Sequence, residues 1–275
     1  MIKFWNYTRE YKKIRKEILN KLDKTILNGN IFFGTELDNF EKEFSKKYKS
    51  RFGVAVGSGT DALLISLKAI NIKNGDEIIT AANTAIPTIS AIVNSGAKPK
   101  LVDVGEDYLI DPSKIERLIT KKTKAIIPVH LYGQACDMSK IQSIAKRYKL
   151  KIIEDCAQAQ GAKYNKKFVG TLGDFGCFSF YPTKILGAYG DGGFITTNSY
   201  KDYLKIKRLR FYGIETTNKK NLFYKKYYAN ENGLNSRLDE IQSSILNIKL
   251  KYVDKFIKKR IELANLYLKY LKNTS

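Results

Sequence analysis

Histidine occurs once in this 275-residue chain, at position 130. A nucleophilic triad built on an imidazole, and the metal sites that draw on several histidines, are therefore poorly supplied, and no metal is expected. If the chain is an enzyme, its proton carrier is another kind of side chain. Cysteine is almost as scarce. Cys136, Cys156 and Cys177 are widely spaced and form no CxxC pair, so neither a disulfide framework nor a zinc site is suggested, and structural thiols are expected. No segment reaches the roughly 18 uninterrupted apolar residues that a membrane span requires. The opening "MIKFWNYTREYKK" carries charge without an apolar run behind it, unlike a secretory leader. A cytoplasmic location is expected.

Acids are also under-represented, 27 against 49 Lys and Arg, for a formal charge of +22. Such an excess suits a nucleic-acid binder only when the bases cluster, since affinity grows with the number of phosphates met together. Here the lysines are spread along helical stretches among Ile, Asn and Tyr, with no finger, basic arm or RNA-reading aromatic motif. The expectation is a solvated lysine-rich surface and no nucleic-acid partner, with long-range attraction for a small anion as a secondary effect.

What is present points to a packed globular protein, at 43% hydrophobic residues. Ile14, Ile18, Leu22 and Ile26 recur every four residues across 9–27, which predicts an amphipathic helix ending at Asn28 and Gly29. Thr35 is placed to cap a second helix with Leu37, Phe40, Phe44 and Tyr48 on its apolar side. Beyond it, short β-branched runs at 53–56, 77–80, 100–104, 124–129 and 151–155 alternate with helical windows near 61–70, 86–95, 112–120 and 139–148. That alternation predicts a mostly parallel sheet covered by helices on both faces, with ligands at the carboxyl ends of the strands. Residues 161–173 read as a hairpin, "GCFSF" and "GGFITT" as strands, and 200–212 and 235–273 as helical, the last broken once. A boundary is expected near 212–234, where Lys, Asn and Tyr crowd together.

Three places after strands carry chemistry. In "GVAVGSGTDALLISLKAI" (53–70), Gly57 and Gly59 let backbone approach a ligand, and the amides of Gly59 and Thr60 open a helix whose dipole favours an anion such as phosphate. In "KIIEDCAQAQGA" (151–162), Asp155 ends a buried-looking strand, where an acid needs a cation or hydrogen bonds, or serves only to cap the next turn. In "SFYPTKILGAYGDGGF" (179–194), Lys184 stands among apolar and small residues. A lysine there either snorkels to water or, partly desolvated, becomes a nucleophilic amine able to form a Schiff base. An anion cradle, an acid and a lysine in this order describe a pyridoxal phosphate site.

The segments "GSGTDAL", "PVHLYGQACDM", "EDCAQAQGA", "FSFYPTKILGAYGDGGF" and "NSRLDEIQ" stand in the same order as in the DegT/DnrJ/StrS sugar aminotransferases, and the chain resembles that family from about residue 5 to 275. The resemblance implies an α/β fold type I aminotransferase, with a mixed, mostly parallel seven-stranded sheet between helices. It also implies a large domain over 1–212 and the start of a smaller C-terminal domain over 213–275, incomplete relative to the family. Lys184 matches the lysine that holds pyridoxal 5'-phosphate, and Asp155 the acid at the pyridine nitrogen. Gln158 matches the residue near the ring hydroxyl. Ser179 with the backbone of Gly59 and Thr60 matches the phosphate cradle. Asn235 matches a residue that reaches the phosphate bound by the partner subunit of a homodimer.

The implied reaction moves an amino group from glutamate to a keto group of a nucleotide-linked deoxysugar, with a dTDP-3-keto-6-deoxyhexose suggested by the run "NTAIPT". The alternative is a relative that binds the cofactor or nucleotide sugar without turnover. In that run Ala85 stands where many relatives place an aromatic residue over the ring. Tyr181 replaces a histidine of some relatives, and Lys184 argues against the related dehydratases, which use histidine there. His130 is open to either a ligand contact or a structural role.

Overall fold

The computed structural model describes residues 6–215 and 228–272. In chain order these form helices α1 (Thr8–Leu27) and α2 (Thr35–Tyr48), then β1 (Phe52–Val56), α3 (Gly59–Ala69), β2 (Glu77–Ala81), α4 (Ile86–Asn94) and β3 (Lys98–Val102). They continue with β4 (Thr123–Ile127), α5 (Met138–Tyr148), β5 (Lys151–Asp155) and the short pair β6 (Lys163–Tyr164) and β7 (Lys167–Phe168). The remainder is β8 (Phe175–Ser179), β9 (Gly193–Thr197), α6 (Tyr200–Leu209) and two further helices, here α7 (Glu240–Leu250) and α8 (Val253–Tyr270).

Seven strands form one sheet in the order β1-β9-β8-β5-β4-β2-β3. Only β9 runs against the rest, pairing antiparallel with β1 and β8, while β8, β5, β4, β2 and β3 pair in parallel. The mixed seven-stranded sheet expected of a fold type I aminotransferase is thus present.

Period-two alternation decides which core each strand residue joins. Phe175 and Cys177 of β8, with Ile195 of β9 and Val54 and Val56 of β1, face a core closed by α3, α4, α5 and α6. Phe178, Phe194 and Ala55 face the other side, against Leu37, Phe40, Phe44 and Tyr48 of α2. There the rings of Phe40, Phe44, Phe180 and Phe194 interlock in tilted and edge-on contacts at 4.4–6.4 Å. Such pairs add to their area burial about 0.5–1.5 kcal/mol each.

Outside α2 lies a third cluster, in which Ile14 and Ile18 of α1 meet Ile245 and Ile248 of α7. The helix placed in a second domain on sequence grounds packs directly on both N-terminal helices. The expected boundary at 212–234 falls largely outside the described residues. Two local expectations are corrected. Residues 112–120 form two short 3-10 turns, Pro112–Lys114 and Glu116–Leu118, not an α-helix. Residues 235–239 are not helical, because the chain there pairs with 209–213 through Ser236 N–H to Arg210 O (2.9 Å), Tyr212 N–H to Leu234 O (2.8 Å) and a bridge between Phe211 and Asn235.

Candidate active site

Because six strands point the same way, the ends of β1, β2, β4, β5 and β8 and the start of β9 meet along one edge of the sheet, the edge where α/β proteins bind ligands. A cavity of about 290 Å³ opens there, and Gly59, Thr60, Asp155, Gln158, Ser179 and Lys184 all line it. Six of the seven residues singled out from the sequence, drawn from segments up to 125 residues apart in number (59 to 184), are therefore brought together. Asn235 is the exception. It is exposed and does not line the cavity, but its neighbour Ser236 accepts the Gly57 N–H (2.9 Å) and donates to Asp61 Oδ2 (2.7 Å), fixing this segment beside the start of α3.

Local chemistry explains the anion end. Ser58 caps α3, its Oγ accepting the Asp61 N–H at 3.0 Å, which leaves the amides of the first turn facing outward. Close approach is built in. A Cβ on Gly59 would lie 2.6 Å from Ser179 Cβ, and one on Gly193 would lie 2.2 Å from Ser58 O. Only glycine lets the turn, β8 and β9 converge at this point.

Asp155 is buried at the end of β5. Its Oδ2 accepts from Thr88 Oγ1 (2.8 Å) and its Oδ1 from the Ala157 N–H (3.1 Å). Burial pushes its pKa above the usual carboxylate range, against the hydrogen bonds and the nearby charge of Lys184, which favour the ionised form. Lys184 is half-buried, and desolvation lowers its pKa while the field of Asp155 opposes that shift. Desolvation wins at both residues. The loop bearing Lys184 is pinned by Gln160, which donates from Nε2 to Ser179 O (2.8 Å) and accepts the Leu186 N–H at Oε1 (2.6 Å).

A group with a cation at one end, an electrophilic carbon in the middle and a phosphate at the other would relieve each of these features, and pyridoxal 5'-phosphate has that layout. The residues fit it. A larger cleft, about 880 Å³ between α1, α2 and α7, is lined by mixed acids and bases such as the Lys21–Glu36 pair (2.6 Å), lies away from these residues and reads as solvated surface.

The model of the DegT/DnrJ/EryC1/StrS aminotransferase family matches residues 12–275. The chain is a member of that family. It is 46% identical over 274 residues to a dTDP-3-amino-3,6-dideoxy-alpha-D-galactopyranose transaminase of Aneurinibacillus thermoaerophilus, covering 99% of this chain and 73% of that protein. It is 42% identical over 266 residues to a dTDP-3-amino-3,4,6-trideoxy-alpha-D-glucose transaminase of Micromonospora megalomicea, covering 96% and 69%. The crystal structure of S. venezuelae DesV in complex with a ketimine intermediate superposes with a TM-score of 0.93 at 36% identity, covering all of this chain and 72% of that one.

Within this aminotransferase, sequence reasoning missed Thr88 and Gln160, whose roles depend on contacts across the fold, although Thr88 closes the quoted run "NTAIPT". Ala85 lines the cavity as the residue preceding α4, alongside the half-exposed Tyr181. His130 is resolved as structural. It is fully buried, its Nδ1 accepts the Cys136 N–H (3.1 Å), and its Nε2 meets Glu154 Oε2 at 3.1 Å. Glu154 also accepts three backbone N–H groups, from Gly170, Leu172 and Gly173, so the His130, Glu154 and Cys156 cluster is satisfied internally. No helix among the described residues is long and apolar enough to cross a membrane.

Proposed function

We propose that this aminotransferase, with pyridoxal 5'-phosphate as cofactor, moves an amino group from glutamate to the C3 ketone of a dTDP-linked 6-deoxyhexose, in the cytoplasm and as a homodimer. The observation that carries the reading is a buried acid and a desolvated lysine facing one cavity that the start of α3 also lines, at the same sheet edge. Both transaminase relatives named above have dTDP-linked 3-amino deoxysugars in their names, which supports the substrate class. The three described cysteines are free and buried, in keeping with a cytoplasmic setting.

When bound, the cofactor supplies an aldehyde that takes up the amino group and a protonated ring that withdraws electrons from the neighbouring carbon. Asp155 would hold the ring nitrogen, its carboxylate gaining there the counter-charge that burial denies it. The amides of Gly59 and Thr60 with Ser179 Oγ would hold the phosphate. Lys184 Nζ, held below its ordinary basicity by desolvation, would hold the cofactor and serve as the base and acid that moves the proton.

The test begins with cofactor-loaded protein reduced by borohydride and mapped by mass spectrometry. The added mass is expected on Lys184 and nowhere else among the many lysines, and Lys184→Ala should lose it along with turnover by about a thousandfold or more. Glutamate should then change the absorbance of the unreduced wild-type protein. A label fixed on another lysine, or no response to glutamate, overturns the reading.

A further inference from the structure

Helix α4 places a hydroxyl where its packing has no need of one. Thr88, Ala91 and Ile92 stand at i, i+3 and i+4 and are the buried residues of this helix. Valine would fill the position of Thr88 without a polar atom to satisfy. Other buried helical hydroxyls in this chain are satisfied locally. Thr25 Oγ1 donates to Lys21 O (2.9 Å) and Ser66 Oγ to Ala62 O (2.8 Å), each to the carbonyl four residues back. Thr88, 1% exposed, sends its proton instead to Asp155 Oδ2 at 2.8 Å, across 67 residues of sequence.

A hydroxyl has one proton, so the direction of the next bond follows. Thr88 Oγ1 also meets Thr84 Oγ1 at 2.8 Å, and with its proton committed to the carboxylate it can only accept there. Thr84 is the donor. The chain therefore runs from Thr84 to Thr88 to Asp155, each bond polarising the next. Its outer end is anchored, since the Thr84 N–H reaches Ala81 O at the end of β2 (3.3 Å) and Asn83 Nδ2 donates to Tyr108 O (2.9 Å). At its inner end Asp155 has one donor on each oxygen, Thr88 on Oδ2 and the Ala157 N–H on Oδ1. Thr88 lies in the first turn of α4, whose dipole also favours an anion. The titratable groups that reach Asp155 from other elements are Lys184 after β8 and His130 after β4, which favour its ionised form. The nearby thiols of Cys156 and Cys177 are held neutral by burial.

From this geometry we infer that Thr88 is a positioning residue of the transamination site, which with Thr84 behind it keeps Asp155 ionised and turned toward the cofactor's ring nitrogen. The inference rests on the aminotransferase reading for the ring nitrogen, while the hydroxyl chain exists in the protein without cofactor. Hydrogen bonds to a charged group are among the stronger ones, so losing this donor leaves burial less opposed and more of Asp155 neutral.

Carbon-13 NMR of the side-chain carboxyls in cofactor-free protein reads that charge, with the Asp155 signal assigned by its loss in Asp155→Asn. Thr88→Val should move the Asp155 midpoint to higher pH, whereas Thr88→Ser, which keeps the hydroxyl, should leave it near wild type. Thr84→Ala should move it the same way by less, and at a half-exposed position it carries the same test if Thr88→Val does not fold. In cofactor-loaded protein Thr88→Val should lower kcat about tenfold, with KM for glutamate changed less than about twofold, and should cause no further loss in an Asp155→Asn background. An unmoved midpoint overturns the inference. So does a Thr88→Ser chain that matches Thr88→Val, or kcat losses at the two positions that simply multiply. Midpoints that move as expected in a protein giving no spectral response to glutamate would instead sink the aminotransferase reading and leave the hydroxyl chain assigned.

Discussion

At the scale of single residues, Asp155 has the clearest consequence. Its folded pKa lies above the unfolded value of about 3.9, so the fold favours the neutral acid. The penalty for ionising it is absent below the unfolded value, grows as pH rises from that value to the folded one, and is complete above it. In cofactor-free protein this residue's share of stability therefore falls between acidic and neutral pH. Asp155→Asn removes the titration and keeps the shape, since the amide oxygen still accepts from Ala157 and Thr88 Oγ1 can turn its proton to Thr84 Oγ1, 2.8 Å away. Urea unfolding without cofactor should show the variant gaining more on wild type at pH 8 than at pH 5. Turnover should drop about a hundredfold or more, because a neutral amide does not keep the ring nitrogen protonated. The same gain at both pH values would mean the carboxyl is not held against its charge. Asp155 and Lys184 were legible in the sequence because an acid after a strand and a lysine among glycines are locally anomalous. Thr88 and Gln160 are ordinary in their own neighbourhoods, and their bonds reach partners 67 and 26 residues away.

Among elements, helix starts divide the legible from the hidden. Ser58, Asp137, Ser199 and Asp239 each cap the helix that follows by accepting an N–H three residues on, a pattern visible in one dimension. Helix α2 departs from it. Thr35, the expected cap, is the first helical residue, and Gly34 at the cap position has no side chain to offer. The anion comes from 206 residues away. Glu240, buried in α7, accepts the N–H groups of Gly34 (3.0 Å) and Leu37 (3.0 Å) at Oε1 and of Glu36 (2.8 Å) at Oε2. A Cβ on Gly34 would lie 2.8 Å from Glu240 Oε2, so glycine admits the carboxylate that replaces the local cap. Glu240→Ala strands three donors and should cost about 2–4 kcal/mol, read as a lowered urea midpoint, with Glu240→Gln losing about half as much. An unchanged midpoint for the alanine variant would show that water caps α2 equally well. The failed helix at 112–120 has the same lesson in reverse. Asp111 and Pro112 start a turn, but Thr120 and Thr123 bond to each other's ends and turn the chain into β4 after a few residues.

For the whole molecule, the sheet's direction was readable from the alternation of strand and helix, while the strand order, with β9 inserted between β1 and β8, was not, since pairing is set by packing across the chain. The outer strand β3 carries Lys98, Pro99 and Lys100, residues that block further strand pairing, so association through that edge is disfavoured. A homodimer must then use another face. Exposed Asn235, fixed beside the start of α3 yet outside the cavity, is in keeping with a side chain that serves the neighbouring protomer's phosphate. Shared sites make a prediction that separate sites do not. Lys184→Ala and Asn235→Ala chains are each expected to be inactive or nearly so alone. In a mixed dimer, one site loses both residues, whereas the other joins Lys184 of one chain to Asn235 of the other and is complete. Random re-association should therefore restore roughly a quarter of wild-type activity, half the dimers being mixed and each having one intact site of two. Activity of the mixture no greater than the sum of the separate variants, with exchange of subunits shown by native mass spectrometry, would place Asn235 in its own protomer's site or in none.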